Sequence, residues 1–174
     1  MKPIRAQEHA VGQLCPSCGL CCNGVLFGDV ELQEEDDAQR LAELGLAVKR
    51  KRKVFGFVQP CSCFDGKLCR IYADRPARCR SFDCGLLKDV QNGKQTTAEA
   101  LKVIERTRRQ VKRVRDLLES LGQTDDALPL SRRCAKVISE PIDLAASEEK
   151  IELRAELMLA IHKLTDELQR NFLT

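Results

Sequence analysis

The sequence predicts an α-rich α+β protein. A small, metal-stapled cysteine domain with short strands and one or two short helices is followed by a long antiparallel helical hairpin. Three observations carry that expectation. Nine of the ten cysteines fall between residues 15 and 84. The C-terminal part holds two long apolar stripes at helical spacing. The chain has six Phe, one Tyr and no Trp, so a region also poor in aliphatic periodicity lacks the side chains that fill a small core and needs a staple. The boundary is expected near "VQNGKQTT", giving a metal-binding domain over residues 1–95 and the hairpin over 96–174.

In chain order, residues 1–14 read as a weakly ordered lead-in and "CPSCGLCC", residues 15–22, as a loop. "GVLFGDVELQ" has the β-branched and aromatic character of a short strand. "EEDDAQRLAELG" predicts a helix with acids in its first turn, where the helix dipole favours them, and with Gly45 at its end. "KRKRKVFGFVQP" predicts an extended basic segment, with Val54, Phe55, Phe57 and Val58 in a strand that stops at Pro60. Residues 61–84 show little hydrophobic periodicity. Across 98–121, Ile104, Thr107, Val111, Val114, Leu118 and Leu121 recur at steps of three and four, one stripe of a long helix. Asp125, Asp126 and Pro129 break it. A second long helix, from about Ser147 to Asn171, carries Ile151, Met158, Ile161, Leu164 and Leu168, and the two stripes are expected to pack on each other.

The opening "MKPIRAQEHAVGQL" is charged and lacks the apolar run of a signal peptide, and no window approaches a membrane span. The expected address is cytoplasmic. Thiols stay reduced there, so dense cysteines point to metal before disulfides. The formal charge of +3 is too small to identify a nucleic-acid binder by itself.

Cys15, Cys18 and Cys21 are spaced C-x2-C-x2-C, the opening of a bacterial ferredoxin loop, but without its C-x3-C-P ending. Cys22 follows directly. Neighbours on an extended backbone point apart, so Cys21 and Cys22 suit two centres, or one is a ligand and the other is not. Cys61, Cys63, Cys69, Cys79 and Cys84 bring the thiols to nine, enough for two four-thiolate centres with one over. Arg70, Arg75, Arg78 and Arg80 are interleaved with them. Arg70, Tyr72, Arg75 and Arg80 are expected beside the sulfurs, where guanidinium groups offset thiolate charge. Cys134 stands apart as a free, partly buried thiol. With nine cysteines clustered, neither His9 nor His162 is needed as a ligand. "CPSC" alone lacks the βαβ setting of a thioredoxin-like redox pair. No nucleophile with a base stands out, so enzyme status stays open.

"CPSCGLCC" followed by "CRIYADRPARCRSFDC" resembles the YkgJ-like cysteine-cluster family, a zinc- or iron-chelating domain. The resemblance covers residues 15–87. Its pattern falls on Cys15, Cys18, Cys21, Cys22, Cys61, Cys69, Cys79 and Cys84, with Ile71, Tyr72, Arg75, Pro76, Arg80 and Phe82 at its other positions. Cys63 departs from it, leaving Cys61 and Cys63 as alternative ligands. The resemblance implies metal chelation without a settled activity. A similar cluster occurs in flagellin lysine methylases, but this chain has no glycine-rich S-adenosylmethionine loop after a strand. The expectation is therefore an iron–sulfur protein, 4Fe–4S favoured, with a redox or accessory role. The alternatives are a zinc-stapled binding module, with one or two ions, and metal storage or delivery. A protein partner is expected, and RNA is the alternative, through Lys49–Lys53 and Arg106–Arg115. No membrane partner is expected.

Overall fold

The structure is a computed structural model that describes residues 12–51, 53–141 and 147–173. His9 lies outside them, as does Arg52 of the basic run. Among the described residues there are seven helices and one small antiparallel sheet. Helix α1 covers residues 12–18, so Cys15 and Cys18 sit on a helix where a loop was expected. Leu14 belongs to the core rather than to a loose lead-in. An apolar residue beside the first thiol docks this segment against the helices that come last in the chain.

Strand β1 (Asp29–Glu31), β2 (Lys49–Lys51) and β3 (Val54–Val58) form a sheet in the order β1-β3-β2. Asp29 pairs with Val58 and Lys49 with Gly56. A Cβ on Gly56 would meet the Val30 carbonyl oxygen at 2.7 Å, so the central strand needs glycine at that crossing. Helix α2 (Ala38–Glu43) has no acid in its first turn, which corrects the expected placement. Asp37 instead caps it, accepting from Arg40 N at 2.9 Å, because a short carboxylate serves a cap better than a helix interior. Asp36 accepts from Gln33 N and, at 2.8 Å, from Ala77 N, tying this corner to α3 (Ala77–Ser81).

Helix α4 (Gly85–Gln91) leads to the long α5 (Thr97–Ser120). Thr96 opens α5 with a reciprocal capping box: its hydroxyl accepts from Glu99 N while Glu99 accepts from Thr96 N at 2.7 Å. The expected stripe is present, with Ile104, Thr107, Val111, Val114 and Leu118 all buried and Leu121 partly so. Helix α7 (Glu148–Asn171) runs antiparallel to it, since Arg106 reaches Glu167 at 2.5 Å and Arg113 reaches Glu156. The return is not a plain loop. A further helix, α6 (Leu130–Ser139), begins after Pro129 and buries Leu130, Cys134 and Val137. Ten residues of "LSRRCAKVIS" are too short for a long stripe to show, and Pro129 reads as a breaker although it serves here as the cap.

The face of α7 also needs correction. Ile151 and Met158 are exposed, Met158 at 59%, whereas Leu157 is at 1% and Leu153, Ala160, Ile161, Leu164 and Leu168 complete the packed face. Leu, Met and Ile alternate around this helix, so several stripes fit the sequence equally well and the one matching α5 wins.

Two clusters make the core. The larger joins Leu14, Leu20, Val25, Leu86 and Leu87 to α5, α6 and α7. The smaller gathers Leu32, Leu41, Leu46, Phe57, Cys63 and Ile71 around the sheet. Among the described residues no helix is long and apolar enough to cross a membrane. Leu157→Ala should lower unfolding free energy by about 2–5 kcal/mol in urea denaturation, while Met158→Ala should stay within about 0.5 kcal/mol of the parent. Equal effects would show that the packed face has been misassigned.

Candidate metal centre

The turn after α1 is set by Gly19, whose φ is +68°. A Cβ there would stand 2.8 Å from the Phe64 ring, so both conformation and space require glycine. The Gly19 N–H donates to Cys15 O at 3.1 Å, and the Cys22 and Asn23 N–H groups donate to Gly19 O. This folds "CGLCC" back on α1. Cys61 N donates to Cys22 O at 2.9 Å, fastening the second cysteine region to the first. Cys69 is bridged to Phe64, Cys79 lies in α3 and Cys84 precedes α4 as its cap residue.

These segments enclose one cavity of about 1180 Å³. Eight thiols line it: Cys15, Cys18, Cys21, Cys22, Cys61, Cys69, Cys79 and Cys84. Cys63 does not. Its side chain is 0% exposed in the sheet core, with its sulfur 3.9 Å from the Leu44 carbonyl. Cys134, on α6, is likewise apart, and His162 is exposed beside Asp166. All ten cysteines are free thiols.

Packing and electrostatics sort the eight. Cys18 and Cys84 rest on the helical core, whereas Cys61, Cys69 and Cys79 rest on the sheet core. The Cys21 thiol interacts with Cys18, Cys84, Cys22 and Cys15; the Cys22 thiol interacts with Cys61, Cys69, Cys79 and Cys15. The adjacent pair thus faces partly different neighbours, with Cys15 common to both. Among the described residues no three Cys, His, Asp or Glu side chains converge tightly enough to hold a metal ion as they stand. The thiols ring a space rather than a point. Their chemistry fits thiophilic metal. Buried Gln59, also on the cavity wall, has an Oε1 with no hydrogen-bond partner among the described residues.

The basic residues act mainly on backbone. Arg75 lies 3.7 Å over the Tyr72 ring, donates to Tyr72 O at 3.0 Å and lowers the cost of charge at Cys15, Cys69 and Cys79. Tyr72, Arg75 and Arg78 line the cavity. Arg70 and Arg80 do not line it; they donate to Ser62 O at 2.6 Å and Arg75 O at 2.8 Å, bracing the cysteine loops, and Arg70 also lowers the cost of charge at Cys69. Sequence reasoning placed Arg108 and Arg115 only in a basic run. Arg108 in fact donates to Ser17 O at 2.8 Å and Arg115 to Asn23 O at 3.4 Å, gripping "CPSCGLCCN" from α5. Phe172, near the C-terminus, also lines the cavity, and its carbonyl accepts from Gly85 N at 3.1 Å. No local sequence signal marks it.

Burial is the largest cause of the raised pKa values here. It pushes Cys18 and Cys22 up to about 12 and Cys79 to about 11, and also raises Cys15, Cys21, Cys61, Cys69 and Cys84. The metal-free fold thus keeps protons that the unfolded chain releases near 9.0. The stability it gains this way is complete below that pH and is lost as pH rises through the folded values. Denaturation of reduced, metal-free protein should therefore show stability falling between about pH 9 and pH 11. A flat profile would show that the thiols are not buried without metal.

The family model described as "CxxCxxCC: Putative zinc- or iron-chelating domain" matches residues 14–102, just over half of the chain. No curated protein and no solved structure matches. The match begins at Leu14, the core residue before the first thiol, and runs past Cys84 and the α5 cap, so it takes in every wall cysteine. The chain is a member of this cysteine-rich, zinc- or iron-chelating family.

Proposed function

We propose that the chain is an iron–sulfur protein with two four-thiolate centres. Cys15, Cys18, Cys21 and Cys84 would hold one, and Cys22, Cys61, Cys69 and Cys79 the other. The observation that supports it is the thiol-ringed cavity, in which Cys18 and Cys84 rest on the helical core and Cys61, Cys69 and Cys79 on the sheet core. Its volume of about 1180 Å³ leaves room for polynuclear clusters, and 4Fe–4S is the favoured type. Bound clusters would supply one-electron chemistry. The protein's part is to exclude water with Leu20, Leu86, Ile104 and Phe172 and to offset thiolate charge with Arg75 and Arg108. An electron-transfer or accessory role to a partner enzyme is the reading.

A docking surface is proposed on β2 and β3, where Lys49 and Arg50 lie on an edge strand and Val54 and Phe55 are exposed. Arg50 stands 5.8 Å over the Phe55 ring. An acidic protein partner suits it, and RNA is the alternative. The Arg106–Arg115 run is engaged within the chain: Arg106 with Glu167, Arg109 with Glu105, Lys112 with Asp116 and Arg113 with Glu156. The second reading, a zinc-stapled module, is supported by sets of four thiols, the donor set of structural zinc.

Protein purified without oxygen should be brown, bleach on reduction and contain about eight iron and eight acid-labile sulfide per chain. About two zinc per chain without sulfide would establish the zinc reading instead. Cys63→Ala should retain the full metal content and lower only stability, whereas Cys61→Ser should lose about half of the metal. Metal loss in Cys63→Ala with retention in Cys61→Ser would reverse the assignment.

A further inference from the structure

A second cavity, of about 490 Å³, opens between the first cysteine turn and the α5–α6 connection, with Asn23, Phe64, Arg115, Asp126 and Arg133 on its walls. Arg133 is only 4% exposed. One of its terminal nitrogens pairs with Asp126 and the other donates to Gln123 O at 2.7 Å, but its buried Nε has no partner. A guanidinium with an unused buried donor is costly unless something else takes the bond. Arg115 is partly buried on the same wall. Among the described residues its single hydrogen bond, to Asn23 O, is long at 3.4 Å. Burial chiefly, then repulsion from Arg133, pulls its pKa down, while Asp126 supports its charge.

Two desolvated guanidiniums thus share one carboxylate, and that carboxylate is 86% exposed. Among the described residues Glu119, also on the wall, forms an ion pair with neither arginine. Such an arrangement is a poor structural ion pair, because like charges are brought together out of water with half the compensation. It leaves donors that an oxyanion can take: the unpartnered Nε of Arg133 and the weakly engaged guanidinium of Arg115. The remaining walls include Pro60, Leu128 and Leu130, which give an apolar body somewhere to lie.

We propose that this cavity binds a small organic oxyanion, a carboxylate or a phosphate monoester, between Arg115 and Arg133, with Asp126 as the carboxylate the ligand displaces. The site is independent of which metal the cysteines hold. It adjoins them all the same, since Asn23 and Pro60 neighbour Cys22 and Cys61 in sequence and Phe64 lines both cavities.

Calorimetric titration of the full, metal-loaded chain with benzoate, phenyl phosphate and inorganic phosphate tests this. At least one organic probe should bind saturably, and benzoate against phenyl phosphate tells carboxylate from phosphate. Arg115→Gln should weaken that binding about tenfold or more. Asp126→Asn, which removes the internal competitor at an exposed position, should tighten it. Arg132→Gln, a control whose arginine reaches Asp29 at 3.7 Å, should bind like the parent. Arg133→Lys, which keeps the buried charge but not the fork, should weaken it. Absence of saturable binding by every organic probe, an Arg115→Gln protein of parental affinity, or an Asp126→Asn protein that does not tighten would overturn the proposal.

Discussion

Eight thiols held around one cavity must be either protonated or neutralised, and the rest of the fold answers to that constraint. Thiols gathered out of water resist ionisation, because burial disfavours the charged form and each neighbour adds repulsion. Without metal they stay neutral and behave as small apolar groups, so the cavity wall can be continued by Leu20, Leu86, Ile104 and Phe172. With metal the same groups become thiolates, and positive charge has to be close. Arg75 and Arg108 lie near enough to ease that ionisation at four of the eight.

Those arginines do a second job through their hydrogen bonds. A cysteine loop with few aliphatic residues cannot fix its own shape by packing, and the carbonyls it leaves unpaired need donors. Arg70, Arg75, Arg80, Arg108 and Arg115 supply them at Ser62, Tyr72, Arg75, Ser17 and Asn23. A forked donor can hold a carbonyl and still face a sulfur, which lysine does less well. The helical part therefore contributes more than bulk. Helix α5 packs on α7 with one face and reaches the first cysteine turn with arginines one helical step round.

How much of this the sequence reveals depends on the range of each interaction. Helix α5 is legible because the helix runs for twenty-four residues, long enough for its stripe to show, and its cap is a local pattern. The wall cysteines are legible because thiol spacing and the "IY…RP…CR" pattern are local too. The packed face of α7 is not, since Met158, Leu159, Ile151 and Leu157 are equally apolar and only α5 selects among them. Nor is α6, which hides behind a proline. Arg108 and Arg115 sit in what reads as a solvated basic run until Ser17 and Asn23, some ninety positions earlier, come into reach. Cys63 is the same kind of case: its spacing from Cys61 resembles a ligand pair, but the chain turns there, with Phe64 N donating to Cys61 O, so that Cys61 lines the cavity while Cys63 is buried in the sheet core with Leu41 and Phe57.

The two cores give these placements a mechanical consequence. Cys18 and Cys84 are seated on the helical core, and Cys61, Cys69 and Cys79 on the sheet core. Cys21 and Cys22 join them across a single peptide bond. In the proposed two-centre reading, anything that draws the thiols around Cys21 together would pull on the backbone that positions Cys22. Cys22 O also holds Cys61 N, so that pull reaches the second cysteine region without passing through a flexible loop. In that reading, adjacent Cys21 and Cys22 would make the two thiol sets mechanically and electrostatically aware of each other. The tight turn at Gly19 keeps that connection short.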